Sequence, residues 1–189
     1  GVDAGITGFY IRINDEILFN QPSFTNQNFD TKRGGCELSA TAQPFDGRAR
    51  LFGAYTYVRA KFLEGQFNDR TIPGTPQHTL HTGAGVSPFD GLWIDLDWRL
   101  VHDLVRINDM NNLLPMADNY GVVNLVAQYD VPKRWLGERG PGLNVYLRVE
   151  NLTNEEYVTY QSSNSSNLLG AGEAPMPPIG VFGGVRIRY

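Results

Sequence analysis

Gly183-Gly184-Val185-Arg186-Ile187-Arg188-Tyr189 ends the chain and decides how the rest is read. In an extended strand, successive side chains point to opposite faces. Val185, Ile187 and Tyr189 therefore form one row, and Arg186 and Arg188 form the other. Arginine on a lipid face costs about 2–4 kcal/mol at the bilayer midplane, so the arginines belong to a wet interior. The apolar row, closed by an aromatic, suits a lipid face.

The same period of two recurs upstream. Leu92, Ile94, Leu96, Trp98 and Leu100 alternate with Asp95, Asp97 and Arg99. Cys36, Leu38, Ala40 and Ala42 alternate with Glu37, Ser39, Thr41 and Gln43. Leu143, Val145, Leu147 and Val149 alternate with Asn144, Tyr146, Arg148 and Glu150. Phe9, Ile11 and Ile13 are assigned to the apolar side of their strand, opposite Arg12. Phe52, Ala54, Val58 and Ala60 are assigned likewise, opposite Tyr55, Tyr57, Arg59 and Lys61.

The composition agrees with strands. The chain has 189 residues, 21 glycines and 12% aromatics, which suits many strands and turns. It carries 16 Lys+Arg against 20 Asp+Glu, so a nucleic-acid partner has no electrostatic support. Cys36 is the single cysteine and cannot form an internal disulfide. No apolar run reaches the ~18 residues of a membrane helix. No leader is recognisable at Gly1, so the chain reads as mature or as an internal piece.

Connections alternate in length. Tight turns are expected at Pro44-Phe45-Asp46-Gly47 and Pro88-Phe89-Asp90-Gly91, with a longer one from Pro132 to Gly142. Long polar stretches run from Asn20 to Asp30, Leu63 to Thr75, Arg106 to Asp118 and Thr159 to Pro178. Short turns at one end and long loops at the other are the outer-membrane barrel arrangement. Eight strands are predicted, at about 5–19, 31–44, 48–62, 77–87, 91–104, 119–131, 142–157 and 179–189. A soluble β-sandwich also alternates, but globular strands average about 5–6 residues and these are about twice as long. Trp93, Trp98, Trp135, Tyr120, Tyr129, Tyr157 and Tyr189 are candidates for aromatic girdles, although the register turns Trp93 inward.

Ordered motifs carry a family resemblance. Phe9 to Ile17 resembles a strand rising into an extracellular loop. Lys32-Arg33-Gly34-Gly35-Cys36-Glu37-Leu38 resembles the returning "RGxE" strand, and Ala54 to Phe62 the next rising one. Ile72 to Leu80 resembles the entry to the strand that follows. Val149-Glu150-Asn151-Leu152-Thr153-Asn154-Glu155-Glu156-Tyr157 is close to "ENLxxxxY", and Val185 to Tyr189 is similar to the barrel-terminating signal. In this order they resemble the C-terminal part of a TonB-dependent outer-membrane receptor.

The resemblance implies a fold: an all-β, antiparallel transmembrane barrel segment, about eight strands of a barrel of about 22. Residues 1–189 would be its C-terminal portion, with no plug domain and no TonB box in the sequence. Such a segment has unpaired edges and should be unstable unless it closes or meets its remaining strands.

The resemblance also implies a function, TonB-dependent active uptake of a scarce nutrient, most often a ferric siderophore. Expected partners are outer-membrane lipid, the plug and remaining strands, the TonB complex and a small extracellular ligand. No cofactor, no resident metal and no enzyme chemistry are expected. Candidate ligand contacts at the loops and mouth are Arg59, Gln66, Asn68, Arg70, Gln161 and Asn164. A lumen-facing charge network is expected from Arg12, Glu37, Asp95, Asp97, Arg99, Arg148, Glu150, Arg186 and Arg188. His78 and His81 are three apart and should point to opposite faces, which argues against a metal site. A complete eight-stranded barrel and a passive porin are the competing readings.

Overall fold

In the computed structural model, residues 1–20, 23, 25–137, 141–161 and 172–188 are described. Eight strands form one antiparallel sheet: β1 (Val2–Asn20), β2 (Thr25–Ala42), β3 (Ala49–Phe62), β4 (Pro76–Val86), β5 (Leu92–Leu104), β6 (Tyr120–Val131), β7 (Gly142–Glu150) and β10 (Gly180–Arg188). Each pairs with its neighbour in chain order, and β10 pairs with β7. Between those two strands, β8 (Val158–Gln161) and β9 (Glu173–Pro175) make a separate hairpin. The four-residue helix α1 (Lys133–Leu136) fills the turn after β6. The sheet does not close, since β1 and β10 each have one neighbour.

A tilted membrane strand needs about 9–11 residues. At 19 and 18 residues, β1 and β2 run well past that length. The stretch from Asn20 to Asp30, expected to be a loop, is therefore largely strand: Glu16 pairs with Phe29 and Asn20 with Thr25. Polar side chains are compatible with strand pairing once the hairpin stands clear of lipid. Conversely, β7 stops at Glu150 instead of continuing to 157. Asn151 takes φ 52, which ends the extended run.

The short turns follow their chemistry. Phe45 and Asp46 have φ 56 and 52 ahead of Gly47 at φ 82, and Gly91 at φ 89 turns the chain into β5. A Cβ on Gly91 would lie 2.7 Å from the Asp130 carbonyl oxygen, so that turn also requires the bare backbone.

The register sorts side chains into two faces. Val2, Ala4, Ile6 and Gly8 pair with Ala42, Ala40, Leu38 and Cys36, which pair in turn with Leu51, Gly53, Tyr55 and Tyr57. The same face continues through Leu80, Leu100, Trp98, Leu96 and Ile94 to Leu125, Leu147, Val145, Val185 and Ile187. Its apolar side chains are exposed: Val2 at 81%, Ile6 at 77%, Val185 at 61%. An apolar surface this continuous calls for lipid, not water. It is the outward face, and the opposite one is the inner face.

Two assignments from sequence periodicity are reversed. Phe9 and Ile11 pair with Gly35 and Arg33, on the inner face with Glu37, so Tyr10 and Arg12 point outward. Likewise Phe52, Ala54, Val58 and Ala60 are inner, while Tyr55, Tyr57, Arg59 and Lys61 are outward. Near the long-loop end, loops cover Val58 and Ala60 on the inner face. Ala60, Phe62, Phe67, Ile72 and Met110 form a buried cluster with Leu18, Phe29 and Val58 against it. Phe29 meets Phe62 edge-on with ring centroids 5.3 Å apart.

The girdle expectation divides. Trp98 and Tyr129 lie outward, and Tyr129 gathers Phe89 and Trp135 at the short-turn end, 6.2 and 6.4 Å between centroids. Trp93 is inner and donates its indole N–H to Asp95 Oδ2 at 2.5 Å. Tyr120 is also inner, and Tyr157 packs on it at 4.8 Å between ring centroids, so neither belongs to a girdle. Tyr189 lies outside the described residues.

Candidate ligand wall and mouth

Polar side chains on alternate positions of β4 to β7 build one wall on the inner face. Asp97 accepts from His81 Nε2 at 3.3 Å and from Asn124 Nδ2 at 3.3 Å. Arg50 donates to Asp95 at 2.8 Å, and Arg148 meets Glu150 at 2.6 Å. His81, Asp97, Arg99, Asn124, Arg148 and Glu150 share one groove, which Tyr157, Met176 and Pro177 roof from above. This wall presents both charge signs and hydrogen-bonding groups while its backbone stays locked in the sheet.

The register gives Glu37, Asp95, Asp97, Arg99, Arg148, Glu150, Arg186 and Arg188 to the inner face. Arg12 is the exception. It pairs with Lys32 on the outward face and reaches Asp30 Oδ2 at 3.7 Å. Arg186 and Arg188 line a second inner groove with Asp130 and Lys133 at the short-turn end. Asn124 was not singled out from the sequence, and His81 was weighed there only as a metal ligand. The signal was there, since both sit on the polar parity of strands whose other parity is apolar.

The long-loop end is ordered by side-chain caps. Asn112 Nδ2 donates to the Thr71 carbonyl at 2.9 Å, and Thr71 N–H donates back to Asn112 Oδ1 at 2.6 Å. Asp109, 7% exposed, accepts from the N–H groups of Leu113 and Leu114, both at 3.0 Å. The segments after β3 and after β5 are thereby tied together, with Phe67 and Met110 buried beneath them.

Asn151 has an equivalent role after β7. Its Nδ2 donates to the Glu155 and Pro177 carbonyls at 2.9 and 3.3 Å, and its Oδ1 accepts from Glu155 N–H at 2.8 Å. Its own N–H donates to Asn124 Oδ1 at 3.0 Å. The "ENL" asparagine therefore folds the mouth over the wall. Beside it, Asp118, Glu155, Glu156 and Glu173 line a pocket with Tyr120 and Tyr157.

The candidate ligand contacts are not brought into one site. Arg59 points outward, into a groove with Tyr10, Lys32, Tyr57, Lys61 and Asp69, and so leaves the proposed mouth. Gln66, Asn68 and Arg70 are exposed at the tip of the β3–β4 connection. There, Lys61 holds the Asp69 carboxyl below its ordinary range by a 2.5 Å hydrogen bond and by its charge. Gln161 belongs to β8, and Asn164 lies outside the described residues. His78 and His81 do occupy opposite faces, and His78 instead packs against Tyr55, Tyr57 and His102 outside.

Comparison with solved structures finds the same fold. The ferric yersiniabactin uptake receptor FyuA from Yersinia pestis is 20% identical, with a TM-score of 0.78 over 100% of this chain and 28% of that one. The copper transporter OprC is 19% identical, with a TM-score of 0.77 over 100% of this chain and 29% of that one. The ferric-catecholate import receptor Fiu from E. coli K12, in its closed form, is 19% identical, with a TM-score of 0.74 over 100% and 25%. The chain spans roughly a quarter of the length of each of these proteins. No curated protein matches the sequence. The family model for the TonB-dependent receptor-like β-barrel matches residues 1–152. With that match over most of its length and this two-faced sheet, the chain belongs to the TonB-dependent receptor-like β-barrel family of the bacterial outer membrane.

Proposed function

We propose that these residues are the C-terminal part of the barrel of a receptor that imports a scarce nutrient, most simply a ferric siderophore, using energy relayed through TonB. The observation that carries this reading is the division of one sheet into an apolar outward face and a polar inner wall roofed by tied loops. A passive pore has no need of a roof clamped by Asn112 and Asn151 over its wall. A closed eight-stranded barrel would need β1 against β10, and the sheet leaves both edges open. The plug and the TonB contact would belong to chain outside these residues.

Charge at the mouth narrows the cargo. With Arg59 outside, the pocket of Asp118, Glu155, Glu156 and Glu173 is an acidic part of the mouth. It favours a neutral or cationic chelate over a polyanionic one. The test is uptake of radiolabelled iron chelates of differing charge by cells producing the full-length receptor, with and without a functional TonB. Uptake should need TonB and should favour neutral or cationic chelates. TonB-independent uptake would overturn the reading in favour of a pore.

A further inference from the structure

The outward face changes character along its height. On β1 to β3 it begins with Val2, Ile6, Leu38 and Leu51, passes through Tyr55, Tyr57 and Tyr10, and ends in cations. Arg12 pairs with Lys32, Lys32 with Lys61, and Gly34 with Arg59, so the cations stand side by side on adjacent strands. Gly34 lacks a side chain and, with the backbone of Gly35, leaves the floor of a groove of about 640 Å³ between Tyr10 and Tyr57. Lys32, Arg59 and Lys61 rim it, three cations against the one carboxylate of Asp69.

Their countercharges are incomplete. Lys61 meets Asp69 at 2.5 Å and Arg12 meets Asp30 at 3.7 Å. Lys32 and Arg59 make no close ion pair among the described residues, and both act on the Asp69 carboxylate only at longer range. Cations facing lipid are tolerated near the interface, where the cost falls to about 0–1 kcal/mol, and interfacial aromatics mark that level. The sheet itself separates this groove from the inner wall, so cargo passing along that wall does not reach it. Tyr10, Tyr55 and Tyr57 beside it are the residue type that marks the headgroup level of a barrel's outward face. Below it the outward surface is apolar, through Gly8, Ile6, Leu38 and Ala40, as an acyl chain requires.

We propose that this groove binds the phosphate groups of an anionic outer-leaflet lipid, with Lys32, Arg59 and Lys61 as phosphate donors. The proposal rests on the barrel orientation stated under Proposed function. Arg offers a planar fork to phosphate oxygens and Lys a point charge, and each cation near a charged lipid surface adds attraction.

The test is native mass spectrometry of the full-length receptor in mild detergent, titrated with lipid A or with lipid A stripped of its phosphates. The wild type should hold lipid A, while a Lys32→Gln, Arg59→Gln, Lys61→Gln variant loses at least about tenfold in affinity. A Lys32→Arg, Arg59→Lys, Lys61→Arg variant should recover it, which shows that loss of charge and not of folding is responsible. Equal retention by the Gln variant, or equal binding of the stripped lipid, would overturn the proposal. Inorganic phosphate that occupies the groove as tightly as lipid A would overturn the choice of a lipid. A nitroxide label at Leu38 in the same preparation separates the two readings. Lipid contact there with unchanged retention overturns the lipid site alone. Water at Leu38 overturns the barrel orientation and the site with it.

Discussion

Asn112 and Thr71 exchange two hydrogen bonds across the gap between two connections, at 2.6 and 2.9 Å. One side chain thus satisfies both backbone groups of a residue 41 positions away. The segment after β5 cannot lift without breaking both, and Met110 is drawn into the same buried cluster as Phe67.

Asn112→Ala removes a donor and an acceptor together and leaves the Thr71 amide dependent on water. The expected local cost is about 1–3 kcal/mol. Hydrogen exchange on the full-length receptor should show faster exchange at the Thr71 amide, while amides within β3 are unchanged. Unchanged protection at Thr71 would show that the clamp does not hold the loop.

Asn151 combines φ 52 with side-chain bonds to Glu155 and Pro177. Glycine keeps the backbone and loses the bonds; alanine loses both. The left-handed conformation costs a residue such as alanine about 1–2 kcal/mol more. Thermal unfolding of the full-length receptor should rank wild type above Asn151→Gly and that above Asn151→Ala. An alanine variant as stable as the glycine variant would refute the backbone part of this account.

Gly83 sits under the Phe52 ring, and a Cβ there would lie 2.6 Å from that ring and 2.5 Å from the Leu96 carbonyl oxygen. Gly83→Ala should therefore cost about 1–3 kcal/mol by overpacking. The same variant combined with Phe52→Ala should recover part of the loss, read as the temperature at which the folded barrel unfolds in detergent. Absence of any recovery would place the clash on the β5 backbone instead.

Labels report the faces directly. Nitroxides at Leu96 and Tyr57 should be reached by dissolved oxygen from lipid, and those at Asp97 and Thr56 by a water-soluble relaxant. The Tyr57 and Thr56 pair is the sharper test, because periodicity in the sequence assigns those residues the other way round. Water access at Tyr57 with lipid access at Thr56 would reject the register of β3.

Strand after strand is legible in the sequence wherever one parity is apolar and the other charged, as in Leu92 to Leu100 and Leu143 to Glu150. The end of β7 was less so. Asn151, Thr153 and Glu155 put polar residues on the parity of Leu143 to Val149, but what holds the turn there includes a side-chain bond to Pro177, 26 residues further on, which no local pattern shows. On β5, β7 and β10 the charges share the face opposite one pure apolar row, the parity that periodicity assigns them. Arg12 and Arg59 were misread because neither row there is pure.

The sequence by itself determined the strands, the short turns and the membrane-facing rows of the C-terminal half, because period two and the cost of burying charge in lipid are local properties. Only the tertiary structure decided which way β1 and β3 face near the mouth. Val58 and Ala60 are apolar yet inward, since Phe67, Ile72 and Met110 from distant loops cover that part of the inner face, and the pairing of β1 with β2 turns Phe9 and Ile11 to the same side. Tyr10, Tyr57 and Arg59 then face outward. A row's direction is fixed by what covers it, and the loops that supply the cover come from elsewhere in the chain.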